Sequence, residues 1–235
     1  MKTPDFALLE KRIGYTFNNK ALLRTALTHS SFSNEARSRG ERVICNERLE
    51  FLGDSVLSLI VSKYLFERYK DRFEGELSRI RSFTVSEKPL AKYAKEIDLG
   101  SFLLLGKGEL TGSGRDKPSI LSDAFEALIA AIFLDSGFEA ASAFVLPFAV
   151  KNIDTIESEN LTIDYKTMLQ QIVQQEQGEL LEYQLTGESG PAHDRSFSVC
   201  AMLNNNIIGR GSGHSKREAE QNAAKDALTL FGKNE

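Results

Sequence analysis

The spacing of large apolar residues changes character once along this chain of 235 residues, and that change constrains what it can fold into. From Phe6 to about Val150 apolar side chains recur every three or four positions, the period of helices that bury one face. "ALLRTALTHSSF", the segment around Leu49 to Tyr69, "KPLAKYAKEIDLG" and "SDAFEALIAAIFLDSGF" all read as helices, separated by turn-rich stretches such as "GKGELTGSGRDKPS". Alternation of Val, Ile and Thr is almost absent there. After Leu161 an amphipathic helix, "IDYKTMLQQIVQQ", is followed by three strand-like runs, "LLEYQLT", "FSVCAML" and "NIIGRGSG", and by a closing helix, "SKREAEQNAAKDALTLF". "NNN" at 204–206 suits a hairpin turn, because asparagine tolerates positive φ. The expected architecture is an all-α domain over 1–150, a polar linker over 151–161, and a small α+β domain of order α-β-β-β-α over 162–231.

Within the helical domain "NERLEFLGDS" places Glu47, Glu50 and Asp54 near the start of a long helix. At 100° per residue the three acids fall within a sector of roughly 60°, with Leu49, Leu52, Val56, Leu59 and Ile60 on the far side. Taken alone, this is an amphipathic helix with an acidic outer face. Gly53 argues for more, since a mid-helix glycine costs about 1 kcal/mol against alanine and is easier to explain where another backbone packs closely. The second acid-bearing helix, "SILSDAFEALIAAIFLD", is apolar almost all round and therefore buried. Asp123 and Glu126 nevertheless share one of its faces at i and i+3. Buried carboxylates need a partner or a cation. Acids from two helices make an oxygen-rich site suited to Mg²⁺ or Mn²⁺ rather than zinc, and Mg²⁺ with its retained waters suits phosphodiester hydrolysis. A di-iron carboxylate bundle would require Glu-x-x-His pairs, and none of His29, His193 and His214 has a glutamate three residues before it.

Charge alone does not announce a nucleic-acid partner. The chain has a net charge of −4, and residues 162–235 carry seven Lys plus Arg against ten Asp plus Glu. The placement of the positive charges matters more. Ser215 and Glu218 have the S-x-x-E spacing of a capping box, so Lys216 and Arg217 fall in the first helical turn, where the helix dipole disfavours cations. Such a helix start presents both positive charges and free N–H groups to phosphate. The composition, 41% hydrophobic and 26% charged, is that of a soluble globular protein. Cys45 and Cys200 lie outside any CxxC spacing, which fits a reducing compartment, and neither an apolar leader nor a run of membrane-spanning length is read in the sequence. A cytoplasmic protein without a membrane partner is expected.

Taken together, these motifs resemble bacterial ribonuclease III over almost the whole chain. "NERLEFLGDS" is similar to the family's signature motif, "GKGE…GRDKPSILSDAFEALIAAIFLD" to its second conserved block, and "DYKTMLQQ…GPAHDRSF…GRGSGHSKREAEQNAAKDAL" to a double-stranded RNA-binding domain. The resemblance implies an all-α endonuclease domain followed by that RNA-binding module. It implies Glu50, Asp54, Asp123 and Glu126 as metal-binding catalytic carboxylates, with Asp54 and Glu126 most essential to the chemistry and Glu47 as a supporting acid. Phe51 matches the aromatic that inserts into the partner subunit of a homodimer. Thr167 and Gln170 match minor-groove contacts and His193 the loop that reaches the next minor groove, while Lys216 and Arg217 match contacts to phosphates of the intervening major groove. The third basic position of that helix is Glu220 here, which should weaken electrostatic affinity. The implied activity is Mg²⁺-dependent cleavage of double-stranded RNA, with Mn²⁺ able to substitute. Its products would carry 5′-phosphate and 3′-hydroxyl ends, in processing of ribosomal RNA precursors and messenger RNA. A catalytically silent RNA-binding or ribosome-assembly protein is the alternative that the retained acids speak against.

Overall fold

The computed structural model describes residues 4–158, 165–173, 179–191 and 195–231. They form two compact units, one from Met1 to Thr162 and one from Ile163 to Glu235. In the first, α1 (Phe6–Ile13), α2 (Lys20–Ala26) and α3 (Ser30–Ser38) lead into the long α4 (Glu47–Arg68). Then come α5 (Glu74–Thr84), α6 (Glu87–Glu96), the short α7 (Lys107–Thr111) and α8 (Pro118–Ser158). The all-α expectation holds. A backbone break at Gly137, with φ of 80°, divides α8 in two, and only a residue without Cβ adopts that conformation at little cost. The first half of α8 runs through the centre of the core, with Ala124, Phe125, Ala127 to Ile132 all fully buried. Phe125 is the middle of an aromatic cluster with Tyr93, Phe144 and Phe148, at centroid separations of 5.3 to 5.8 Å.

Four details differ from the sequence reading. "ALLRTALTHSSF" is two helices, because Thr28 leaves the helical path to form a parallel bridge with Leu104. Leu104 donates its N–H to Leu27, and His29 donates its own to Leu104. The stretch read as a linker is helical through Ser158, with Ile153 and Ile156 buried and Glu157 bound by Arg68, Tyr69 and Arg72. Residues 159–161 lie outside the described ones. Leu59, placed on the apolar side from its spacing, is 58% exposed. Finally, α8 does contain a window long and apolar enough to cross a membrane, and half of that window is buried inside the protein, as befits a core helix.

The second unit follows the expected α-β-β-β-α order: α9 (Tyr165–Val173), β1 (Leu181–Ser189), β2 (Ser196–Leu203), β3 (Asn206–Gly213) and α10 (Lys216–Leu230). The strands form one antiparallel sheet in sequential order. Asn204 and Asn205 turn the β2–β3 hairpin at φ of 49° and 67°, the positive values that asparagine accepts. Ala219, Ala223 and Ala227 of α10 are fully buried against β3. A Cβ at Gly211 would sit 2.1 Å from the Ala223 nitrogen, so the helix approaches the strand closely only because that position is glycine.

Candidate metal centre and nucleic-acid interface

Where α4 crosses α8, Gly53 meets the backbone of Glu126. A Cβ on Gly53 would lie 1.9 Å from the Glu126 carbonyl oxygen. This close crossing is the reason two acid-bearing helices can bring their carboxylates together. Glu47 and Glu50 stand in the first turn of α4, where the helix dipole favours negative charge. Leu49, Val56, Leu57, Ile60, Val61 and Leu65 bury the opposite side of that helix.

One carboxylate oxygen from each of Glu50, Asp123 and Glu126 lies within 4.8 Å of the others. All three residues are half-buried. No ion pair joins any of them to a lysine or arginine among the described residues. The electrostatic cost is visible in their proton affinities. Burial, then the charges of Asp54, Asp123 and Glu50, pushes Glu126 up to about 8. Burial also raises Asp123; the hydroxyl of Ser122 opposes this, Glu87 adds to it and His29 reduces it. Glu50 is raised by burial and then by Asp123 and Glu47. Such a cluster is stable as neutral acids or as anions around a cation. The donor set is oxygen alone, so the residues fit a hard ion such as Mg²⁺ or Mn²⁺.

Asp54 is exposed, one turn after Glu50 on the same helix, and it acts on Glu126 through its charge without joining the tight group of three. Glu47 is exposed and accepts a weak bond from the Cys45 thiol at 3.5 Å. Two residues were missed by sequence reasoning: Glu87, at the start of α6, and His29, which precedes α3. Both reach Asp123 electrostatically. His29 Nδ1 accepts the Ser31 N–H at 3.2 Å, and the Ser31 hydroxyl in turn accepts the Gly106 N–H at 2.9 Å. No periodicity marks Glu87. The only hint at His29 was the Thr-His-Ser run, whose side chains compete with helix for backbone groups.

Phe51 is 78% exposed, and Leu59 and Phe66 are exposed on the same side of α4. The three make an apolar stripe of the kind that marks an interface. In the second unit, Thr167 and Gln170 are exposed on α9, and Lys216 and Arg217 are exposed in the first turn of α10. The Ser215 hydroxyl accepts the Glu218 N–H at 3.1 Å as expected of a cap. The Glu218 carboxylate closes on the His214 N–H at 2.8 Å rather than on that of Ser215. His193 lies outside the described residues.

A helical unit carrying a half-buried carboxylate cluster, joined to a sheet-and-helix unit with an exposed basic helix start, defines a nuclease with a nucleic-acid-binding module. Residues 19–153 match the family model "Ribonuclease-III-like", and residues 165–230 match "Double-stranded RNA binding motif". Ribonuclease 3 of Desulforamulus reducens is 50% identical over 221 residues, covering 94% of this chain and 89% of that one. Ribonuclease 3 of Clostridium perfringens is 47% identical over 232 residues, covering 99% and 96%. Among solved structures, the nuclease domain of ribonuclease III from Campylobacter jejuni is similar, with a TM-score of 0.58 and 45% identity. That match covers 63% of this chain and 98% of that one, and the structure was described for flexibility in a region involved in its dimer formation. The chain belongs to the ribonuclease III family and is an endoribonuclease of that type.

Proposed function

We propose that this protein is a Mg²⁺-dependent homodimeric endoribonuclease that cuts double-stranded RNA to 5′-phosphate and 3′-hydroxyl products, and that it processes ribosomal RNA precursors and messenger RNA in the cytoplasm. The observation that carries the metal dependence is the convergence of Glu50, Asp123 and Glu126 oxygens within 4.8 Å, with no ion pair to a lysine or arginine among the described residues. These three residues would hold the ion, and Mn²⁺ would substitute. A bound ion would supply charge stabilisation for the phosphate and a lowered pKa for water. With its carboxyl raised to about 8, Glu126 would hold a proton near neutral pH when no cation is present, and a cation held there would favour its loss. Asp54, beside Glu126 and open to solvent, completes the essential pair, while Glu47 adds to the negative field and helps draw the cation in.

Recognition falls to the second unit. Thr167 and Gln170 would contact one minor groove, and the His193 loop the next. Lys216 and Arg217 would meet the intervening phosphates, a geometry that selects A-form duplex by shape. The exposed stripe of Phe51, Leu59 and Phe66 supports pairing of two copies, with Phe51 as the anchor. Two-fold symmetry would supply one carboxylate site to each RNA strand. The test is a labelled hairpin incubated with the protein and Mg²⁺. Wild-type protein is expected to cut both strands, and Glu126→Gln to bind the hairpin without cutting it. Cleavage by Glu126→Gln at the parental rate would refute the assignment.

A further inference from the structure

Glu220 stands in the middle of the basic start of α10, at i+4 from Lys216 and i+3 from Arg217. Those are the spacings at which oppositely charged side chains on one helix pair. A glutamate there would be expected to neutralise the two cations. It does not. The Glu220 carboxylate is bound across to α9, where Lys166 Nζ lies 2.6 Å from its Oε2. Lys166 is itself fixed from two further directions. Its backbone N–H donates to the side chain of Gln221 at 3.3 Å, and its ammonium lies 4.5 Å from the centre of the Tyr183 ring. Both charged side chains are about one-third exposed (32% and 29%), so their attraction is less screened than that of a fully solvated pair.

Among the described residues, the other positive charges of this unit have partners of their own. Arg195 pairs with Glu188, Lys225 sits over the Tyr165 ring, and the Arg210 guanidinium contacts the buried Cys200 sulfur. Lys216 and Arg217 form no ion pair with a described residue. In a domain whose acids outnumber its bases, the availability of these two cations decides how strongly phosphate is held.

We propose that Lys166 is a positioning residue for duplex binding. It draws the Glu220 carboxylate onto α9 and so keeps Lys216 and Arg217 open to RNA phosphates. The proposal rests on the reading of those two residues as phosphate contacts. It separates Lys166 from a direct RNA contact, because its effect must act through Glu220.

The test is a double-mutant cycle in the full chain, with binding to a labelled RNA hairpin followed by fluorescence anisotropy in chelator at several salt concentrations. Lys166→Met keeps the aliphatic stem and removes the charge. It is expected to weaken binding roughly two- to five-fold, the worth of a surface ion pair formed at the wrong place, and to flatten the salt dependence. Lys166→Arg should bind like wild type. Glu220→Gln should bind at least as tightly as wild type, and Lys166→Met/Glu220→Gln should return to that level. Two results would overturn the proposal: a double variant as weak as Lys166→Met, which would make Lys166 itself an RNA contact or a structural strut, or a Lys166→Met variant that binds like wild type. Lys216→Ala separates the two layers of the argument. If it leaves binding unchanged, the phosphate-contact reading itself fails; if it weakens binding while the cycle shows no coupling, only the role of Lys166 fails.

Discussion

Replacing Gly53 by alanine would test the crossing on which the whole carboxylate site depends. In an exposed mid-helix position this change stabilises a protein by up to about 1 kcal/mol. Here the new methyl would meet the Glu126 backbone, 1.9 Å from its carbonyl oxygen, 2.5 Å from its carbonyl carbon and 3.1 Å from its Cα. A tolerable C···O contact is about 3.3 Å, so α4 and α8 must part by roughly 1.4 Å at that point. Backbone atoms have no rotamer to yield, and overpacking of this kind costs about 1 to 3 kcal/mol or more. The helix-propensity gain offsets only part of that. The displacement acts directly on Glu126, whose oxygen must stay near those of Glu50 and Asp123. Misplacement by about 1 Å costs on the order of 10²-fold in rate, and Mg²⁺ is strict about octahedral geometry. Gly53→Ala should therefore lower the melting temperature by several degrees and reduce Mg²⁺-dependent hairpin cleavage by about two orders of magnitude, while a folded variant keeps its RNA affinity. A variant as stable and as active as wild type would refute the argument that this contact builds the site.

Other outcomes follow from the same geometry. Because Glu126 is raised from 4.5 to about 8, its contribution to the stability of the metal-free protein is fully present below about 4.5 and is lost progressively as pH rises to about 8. Mg²⁺ should accordingly raise the melting temperature more at about pH 8.5 than at about pH 6, and equal shifts would contradict this. Phe51→Ala, removing a side chain 78% exposed in the single chain, should move the protein toward monomer in sedimentation and reduce paired cuts before it disturbs the fold. A chain ending at Ser158 should keep the nuclease unit intact and cleave at low salt. One ending at Asn152 would lose buried Ile153 and Ile156, roughly 1.5 to 3 kcal/mol each, and should melt well below it. Equal melting temperatures for the two truncated chains would show that the last turns of α8 are not part of the core.

The features legible in the sequence were those with a local cost. Gly53 is an expense in a helix, and acids at i and i+3 in an almost wholly apolar helix are another; both pointed to the crossing of α4 and α8. Asn204 and Asn205 announced their turn through their tolerance of positive φ. What escaped depends on partners far away in the chain. The path from Leu27 to His29 leaves the helix for hydrogen bonds to Leu104, more than seventy residues later. The helical character of residues 151–158 is hidden by their polar composition. It is supplied by Glu157 bound to Arg72 and Tyr69, about 85 residues earlier, and by two isoleucines turned inward. Leu59 fits the apolar period of α4 as well as its buried neighbours do, and only the packing of the other helices leaves it on the open stripe beside Phe51 and Phe66. Glu87 and His29 reach Asp123 through the fold alone.

The central claim is that Glu50, Asp123 and Glu126 bind a divalent ion that cleavage requires. The most direct measurement is calorimetric titration of Mn²⁺ into the RNA-free protein, beside Glu126→Gln, in two buffers of different ionisation enthalpy. The wild type is expected to bind the ion and to release a proton near pH 7, visible as a buffer-dependent heat, as follows from burial and neighbouring acids raising Glu126 to about 8. Glu126→Gln should lose most of that affinity together with the proton release. Equal Mn²⁺ affinity in the two proteins, or binding without any buffer dependence, would contradict the account.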